Sequence, residues 1–295
     1  MMLTVKSRRK KYALLITAIM SLNMLLSGCL YNLIPREKKH DYVRIYNAQG
    51  LFDLMYEALY NFEENIYVET TSYDEFMGMW TELDDQFALH SAFREKDVTL
   101  SRRDLDSSCQ IEIHTELNAC GKAMQYLYAK NVKKYPTEEA EIVGEELLRI
   151  KSEIISDSQT EEEKVRAIHD YLVTHCEYAV DGDVNSYASC DKLFTEGKAQ
   201  CQGYSEAFAA LCLLSGIECR VISGTSTFGF GEGAHAWCQV RIGYIWYHID
   251  VTWDDPIPDV ENLVRYDFYL KGDMMMKATH EWCPYYEECF TDYAA

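Results

Sequence analysis

The 295-residue chain contains no internal repeat and no low-complexity tract, so solenoid and array architectures do not describe it. It has no Cys-x-x-Cys pair, which argues against a zinc ribbon although eleven cysteines are present. Basic residues are scarce: 28 Lys and Arg stand against 48 Asp and Glu, a formal net charge of −20. A balance that negative repels a phosphate backbone, and no nucleic-acid partner is expected. Apolar side chains are abundant, at 48% of residues with 26% charged. That excludes global disorder and suffices for one large or two modest folded domains.

The N-terminus has its own logic. The basic run Lys6, Arg8, Arg9, Lys10 and Lys11 precedes an apolar stretch from Tyr12 to Leu26, the pattern of a secretory signal. It closes with Leu26-Ser27-Gly28-Cys29, which resembles the bacterial lipoprotein box. That resemblance implies removal of residues 1–28, lipid on the Cys29 sulfur, and a polar tether over residues 29–40 that holds the chain at the outer face of the bacterial cytoplasmic membrane. An uncleaved membrane helix is the alternative, and it too leaves the remainder outside the cytoplasm. Residues 1–28 carry five of the 28 basic residues and no acidic one, so the chain beyond them has a net charge of −25. Such a charge favours solubility beside an anionic membrane and identifies no substrate.

Beyond the tether, Leu51, Leu54, Met55, Ala58, Leu59 and Phe62 recur at helical spacing, Ile66-Tyr67-Val68 suggests a strand, and Tyr73 to Phe87 returns to helical period. Cys109, Ile111 and Ile113 alternate with polar residues as in a half-buried strand. These elements predict a small α+β unit over residues 41–135. Pro136 marks a boundary, and residues 136–295 are expected to form the catalytic domain. It would open with a helix carrying Val143, Leu147, Ile150 and Ile154, and a second one started by Thr160 and Glu163 at capping-box spacing. With Cys29 assigned to lipid and Cys201 to chemistry, nine cysteines remain, an odd number. Close spacing favours Cys109 with Cys120 and Cys283 with Cys289, and leaves the connectivity open.

At Gly197-Lys198-Ala199-Gln200-Cys201-Gln202-Gly203-Tyr204 a loop turns into an apolar-periodic helix, which puts Cys201 in the first helical turn. Unpaired N–H groups and the helix dipole there favour thiolate, the reacting form, and can receive an oxyanion. Downstream, Gly233-Ala234-His235-Ala236-Trp237 and Trp246-Tyr247-His248-Ile249-Asp250 flank a Gly-containing turn and read as a hairpin. A two-residue loop at Ile242 and Gly243 sets His235 directly opposite Asp250 on one face, close enough for the carboxylate to orient the imidazole. A longer turn or a bulge would slip that register. His248 and His280 show no comparable partner in the sequence and are expected to be structural.

Together these blocks, with Val251-Thr252-Trp253-Asp254-Asp255-Pro256 and Tyr266-Asp267-Phe268-Tyr269-Leu270, resemble the bacterial transglutaminase-like superfamily core from about Val165 to Trp282. The resemblance implies a papain-like α+β fold, with the nucleophile at a helix N-terminus packed on an antiparallel sheet that carries His and Asp. It further implies a Cys201-His235-Asp250 catalytic triad, a peptide or protein substrate, and no metal or organic cofactor. Thr195 stands six residues before Cys201, where papain-like enzymes carry a Gln oxyanion donor, leaving Tyr187, Gln200 and Gln202 as candidates. The expected reaction is acyl transfer through a thioester, resolved by water in a peptidase or amidase and by an amine in a cross-linking transglutaminase. A non-catalytic surface module that binds peptide or cell-wall material, and a Cys201 closed into a disulfide, are the alternatives.

Overall fold

A computed structural model of the chain describes residues 40–85, 92–130, 132–180, 187–227, 233–260 and 263–294. The basic and apolar N-terminal segment, expected to be a secretory signal, Cys29 and Phe87 lie outside the described residues. Residues 42–295 form one compact unit.

Its first part runs β1 (Val43–Arg44), α1 (Ala48–Tyr60), β2 (Asn65–Thr70), α2 (Tyr73–Asp85), β3 (Arg94–Asp104) and β4 (Cys109–Leu117). The strands make one sheet in the order β1-β2-β4-β3. Strands β2 and β4 alternate buried and half-buried residues, which is why both are legible as strands. Strand β3 is the exposed edge and carries the polar run Arg-Glu-Lys-Asp-Val-Thr-Leu-Ser-Arg-Arg-Asp, so it shows no apolar alternation to predict it from. Next come α3 (Ala119–Met124), continued by a π-helical turn over Gln125–Ala129, then α4 (Glu138–Ile154) and α5 (Glu161–His175). Helix α5 opens on the expected capping box: Thr160 Oγ1 accepts from the Glu163 N–H at 3.2 Å, and the Glu163 carboxylate accepts from the Thr160 N–H at 2.7 Å.

The second part comprises β5 (Glu177–Tyr178), α6 (Cys190–Glu196), β6 (Lys198–Ala199), α7 (Cys201–Leu214), β7 (Cys219–Ser226), β8 (Gly233–Ile242), β9 (Ile245–Ile249), α8 (Val251–Asp254), α9 (Asp273–Met276) and β10 (His280–Trp282). Strands β10-β7-β8-β9 form an antiparallel sheet in that order. Two faces of this sheet do different work. Ala236, Cys238 and Val240 of β8 belong to the core that surrounds α7. Ile222 of β7 and Trp237 of β8 instead pack with Leu51, Phe52, Val68, Ile111 and Ile113 of the first part. Helix α7, buried from Gly203 to Leu213, is therefore held by apolar contact, and its N-terminus lies where it can meet β8.

All ten described cysteines are thiols, so neither spacing-based pairing forms. Cys120 instead hydrogen-bonds Cys190, and Cys219 hydrogen-bonds Cys212 and Cys238. Distance along the chain predicts such neighbours poorly, because packing joins residues from different elements.

Candidate active site

Cys201 is the first residue of α7, and Gln200 before it takes the extended N-cap conformation without making a side-chain cap. The Tyr204 N–H bonds to the Gln200 carbonyl at 3.1 Å, so the three N–H groups before it have no intrahelical acceptor. Cys201 is partly buried, and its sulfur hydrogen-bonds the His235 ring and the Ala236 backbone. Burial pushes the thiol upward, but His235 and the Ala236 N–H outweigh it and hold Cys201 below the ordinary thiol value.

His235 Nε2 lies 2.7 Å from Asp250 Oδ2, which leaves Nδ1 as the ring nitrogen available to the sulfur. Burial disfavours a charged imidazole, yet the Asp250 charge and hydrogen bond, with Cys201 beyond, carry His235 up to about 10. Asp250 is fully buried; burial penalises its charge, and His235 and His280 overcome that to hold it well below the usual carboxylate range. The imidazolium thus stabilises both anions, thiolate and carboxylate, which repel one another across it.

The hairpin brings His235 and Asp250 together by a different register from the one expected. Gly243 and Tyr244 form the loop, Ile242 pairs with Ile245 and Cys238 with Ile249. Gly243 takes a φ of 61°, the left-handed value that a tight hairpin loop needs at its first position. The ladder is shifted by two residues, so His235 is not directly opposite Asp250. A shift of two preserves the face, because side chains alternate with period two. Asp250 lies just past β9 as the N-cap of α8, its side chain accepting from the Trp253 N–H at 3.2 Å, and it reaches His235 on the diagonal.

The three oxyanion candidates are engaged elsewhere. Gln202 donates to Glu206 at 3.1 Å, Gln200 reaches the Ala179 carbonyl at 3.5 Å, and the Tyr187 hydroxyl donates to Glu196 at 3.2 Å. Glu206 went unnoticed in the sequence, where it is one acidic residue on a helix. It is buried without exposure and accepts from the Phe93 N–H, Asn118, the Cys190 N–H and Gln202. Burial still lifts it to about 7. It ties the nucleophile helix to the loop entering β3 and to the start of α6.

The two histidines without a sequence partner both acquire a carboxylate. Trp237 Nε1 donates to His248 Nδ1 at 3.0 Å, and His248 Nε2 meets Asp273 at 3.0 Å, so a neutral ring satisfies both bonds. His280 Nε2 lies 3.2 Å from the same Asp250 Oδ2 that His235 uses. Trp253 stacks on His235 with ring centroids 4.9 Å apart. Among the described residues, three groups could bring ligand atoms to one ion: His235, Asp250 and His280; His248, Asp273 and Cys289; Cys120, Cys190 and Glu206. In each, donors and acceptors already meet one another through the hydrogen bonds above or, for Cys289, through its N–H to Asp273 at 3.0 Å.

Residues 149–251 match the Transglutaminase-like superfamily, and the chain therefore carries a transglutaminase-like domain. Kyphoscoliosis peptidase from Homo sapiens is 32% identical over 120 residues, which cover 37% of this chain and 18% of that protein. The chain thus spans under a fifth of the length of that curated relative. Among solved structures, a candidate cysteine protease from Cytophaga hutchinsonii aligns at 15% identity and TM-score 0.33, over 57% of this chain and 66% of its own. The periplasmic domain of TgpA from Pseudomonas aeruginosa aligns at 14% identity and TM-score 0.29, over 56% of this chain and 64% of its own.

Proposed function

We propose that the protein is a cysteine-dependent acyl-transfer enzyme that cleaves amide bonds in peptides or proteins, anchored by lipid on Cys29 at the outer face of the bacterial cytoplasmic membrane. The observation that carries the chemistry is the continuous hydrogen-bonded run from Cys201 Sγ through His235 to Asp250, begun at a helix N-terminus.

In this reading the Cys201 thiolate attacks the amide carbonyl carbon, and the carbonyl oxygen takes up the electron pair. The N–H groups of the first turn of α7, which have no acceptor within the helix, can receive that oxyanion. The His235 imidazolium gives its proton to the amine nitrogen as the C–N bond breaks, leaving a thioester and a neutral imidazole. His235 then takes a proton from water, the hydroxide attacks the thioester, and the acid departs with the thiolate restored. Asp250 keeps Nε2 as the donor nitrogen throughout, so that Nδ1 handles the proton in transit.

The test is to incubate the protein with a peptide library, with and without a primary amine, and to read products by mass spectrometry. Hydrolysed or deamidated peptides that vanish with Cys201→Ala support the proposal; peptides joined to the amine in preference to water would make it a cross-linking transferase. Unchanged turnover in Cys201→Ala would overturn it. For the anchor, Cys29→Ala should release the protein from the membrane fraction and abolish incorporation of labelled fatty acid.

A further inference from the structure

The carboxylate of Asp250 serves two imidazoles. Oδ2 is 2.7 Å from His235 Nε2 and 3.2 Å from His280 Nε2, while Oδ1 accepts from the Trp253 N–H at 3.2 Å. His280 Nδ1 is 2.9 Å from the Thr279 hydroxyl, which can donate to it and so favours the tautomer with the proton on Nε2, directed at Asp250. His280 and Asp250 are both buried. Aromatic rings enclose the pair: the His280 centroid is 4.5 Å from Trp253, 4.8 Å from Trp237 and 5.5 Å from Phe268. Water is kept away from Oδ2, and in its place stands a second N–H donor.

The geometry points to His280 as a positioning residue that acts through Asp250, dividing the carboxylate's charge between two rings and so limiting how firmly His235 holds its proton. The inference rests on the catalytic reading of Cys201 and His235 above. Its chemical sense follows from the two tasks of His235. As the imidazolium partner of the thiolate it must bind a proton firmly. As the acid that protonates the leaving amine it must surrender that proton, and general acids work best when their pKa lies near the working pH. A carboxylate devoted wholly to His235 would serve the first task at the expense of the second. Removing the His280 N–H does not free Asp250, because Trp253 still holds Oδ1. What changes is the charge left to face His235.

The sheet is built to bring β10 this close. Gly224 of β7 pairs with both His235 of β8 and Trp282 of β10, and a Cβ there would sit 2.1 Å from the Glu281 carbonyl oxygen. Other titratable groups face the cluster from every side: Cys201 on α7, Tyr178 on β5, Cys238 on β8, Asp254 on α8 and His248 on β9. Burial keeps Tyr178 and Cys238 protonated through the neutral range, and of these groups His248 is the one that His280 itself disfavours in the charged form.

The experiment compares His280→Phe with His280→Gln in the full-length protein, since the Gln amide can place an N–H where Nε2 stands. Two quantities are read: the pH dependence of Cys201 alkylation by iodoacetamide, which needs no substrate, and kcat for peptide hydrolysis. In His280→Phe the alkaline limb of the alkylation profile, where His235 loses its proton, should move up by about one pH unit, because a hydrogen bond to a carboxylate is worth about that much, while the acid limb does not fall, since the fuller Asp250 charge repels the thiolate. Its kcat should fall about tenfold, while His280→Gln keeps both limbs and most of kcat. An unmoved alkaline limb in a folded His280→Phe, or a His280→Gln indistinguishable from it, would overturn the inference. If the Phe ring prevents folding, His280→Ala is read instead, and its alkaline limb should return when free imidazole is added; a limb that stays at the wild-type position rejects the idea equally. A wild-type Cys201 that titrates as an ordinary thiol, or Cys201→Ala with full hydrolysis, would instead refute the proposed reaction before any His280 variant is compared.

Discussion

Replacing Asp250 with Asn removes one charge and almost no volume, which makes it the sharpest probe of the site. The carboxylate accepts two ring N–H groups on Oδ2 and the Trp253 N–H on Oδ1. An amide has only one acceptor oxygen. If that oxygen stays on Trp253, the new NH2 faces His235 Nε2, which can accept only by moving its own proton to Nδ1. Nδ1 is then a donor and cannot take the Cys201 proton. If the amide is reversed, two N–H donors oppose each other at Trp253. Either way His235, near 10 in the native site, loses its main support, and burial drives it below the ordinary imidazole value of about 6.5. The fall from about 10 to about 6.5 alone corresponds to about 5 kcal/mol of lost stabilisation of the ion pair. Partial relaxation of the site reduces it, so a loss of about 10²- to 10⁴-fold in kcat/KM is expected. Alkylation of Cys201 followed by mass spectrometry reads the same change directly: wild type should react readily at pH 6, and Asp250→Asn only as the pH approaches about 8.5. A folded Asp250→Asn protein alkylated at pH 6 within threefold of the wild-type rate would refute the argument.

The same pair makes stability depend on pH. His235 is raised, so its contribution is complete below about 6.5 and is lost as pH climbs through about 10. Asp250 is lowered, so its contribution is complete above about 4 and is lost on further acidification. The melting-temperature difference between wild type and a His235→Gln, Asp250→Asn double variant should therefore be largest between about pH 4 and 6.5 and shrink on either side. Glu206→Ala strips four donors of their acceptor, three of them buried, and should cost about 3 kcal/mol in urea unfolding, with Cys201 alkylation disturbed less than stability. Gly224→Ala forces a Cβ against the Glu281 carbonyl and should destabilise by about 2 kcal/mol while lowering kcat, since the strand that moves carries His280.

Much of the site is legible in the chain because its logic is local. Cys201 opens a helix where the apolar period begins after a Gly-containing loop, and that placement depends on neighbours within a few residues. The two strands around Gly243 are aromatic and β-branched, so the hairpin is visible as well. Its register is not: sequence favours a turn near Gly243 without choosing between the loop at Ile242 and Gly243 and the observed one at Gly243 and Tyr244. His235 and Asp250 share a face in either register, because the two differ by two residues and not one. The edge strand β3 was illegible for the opposite reason, since an exposed polar edge has no periodic burial to report.

The sequence by itself determined the order of the chemical groups, the helix start that favours a thiolate, and the face on which imidazole and carboxylate meet. Each of these follows from spacing within a single helix or hairpin. Only the tertiary structure decided which groups from distant elements converge: His280 on Asp250, Asp273 on His248, and four donors on Glu206. Apart from Gln202, which sits four residues before Glu206 on the same helix, these partners are separated by 16 to 113 residues. Packing of sheets and helices through the core brings them together, and no local periodicity records where a buried carboxylate will find its donors.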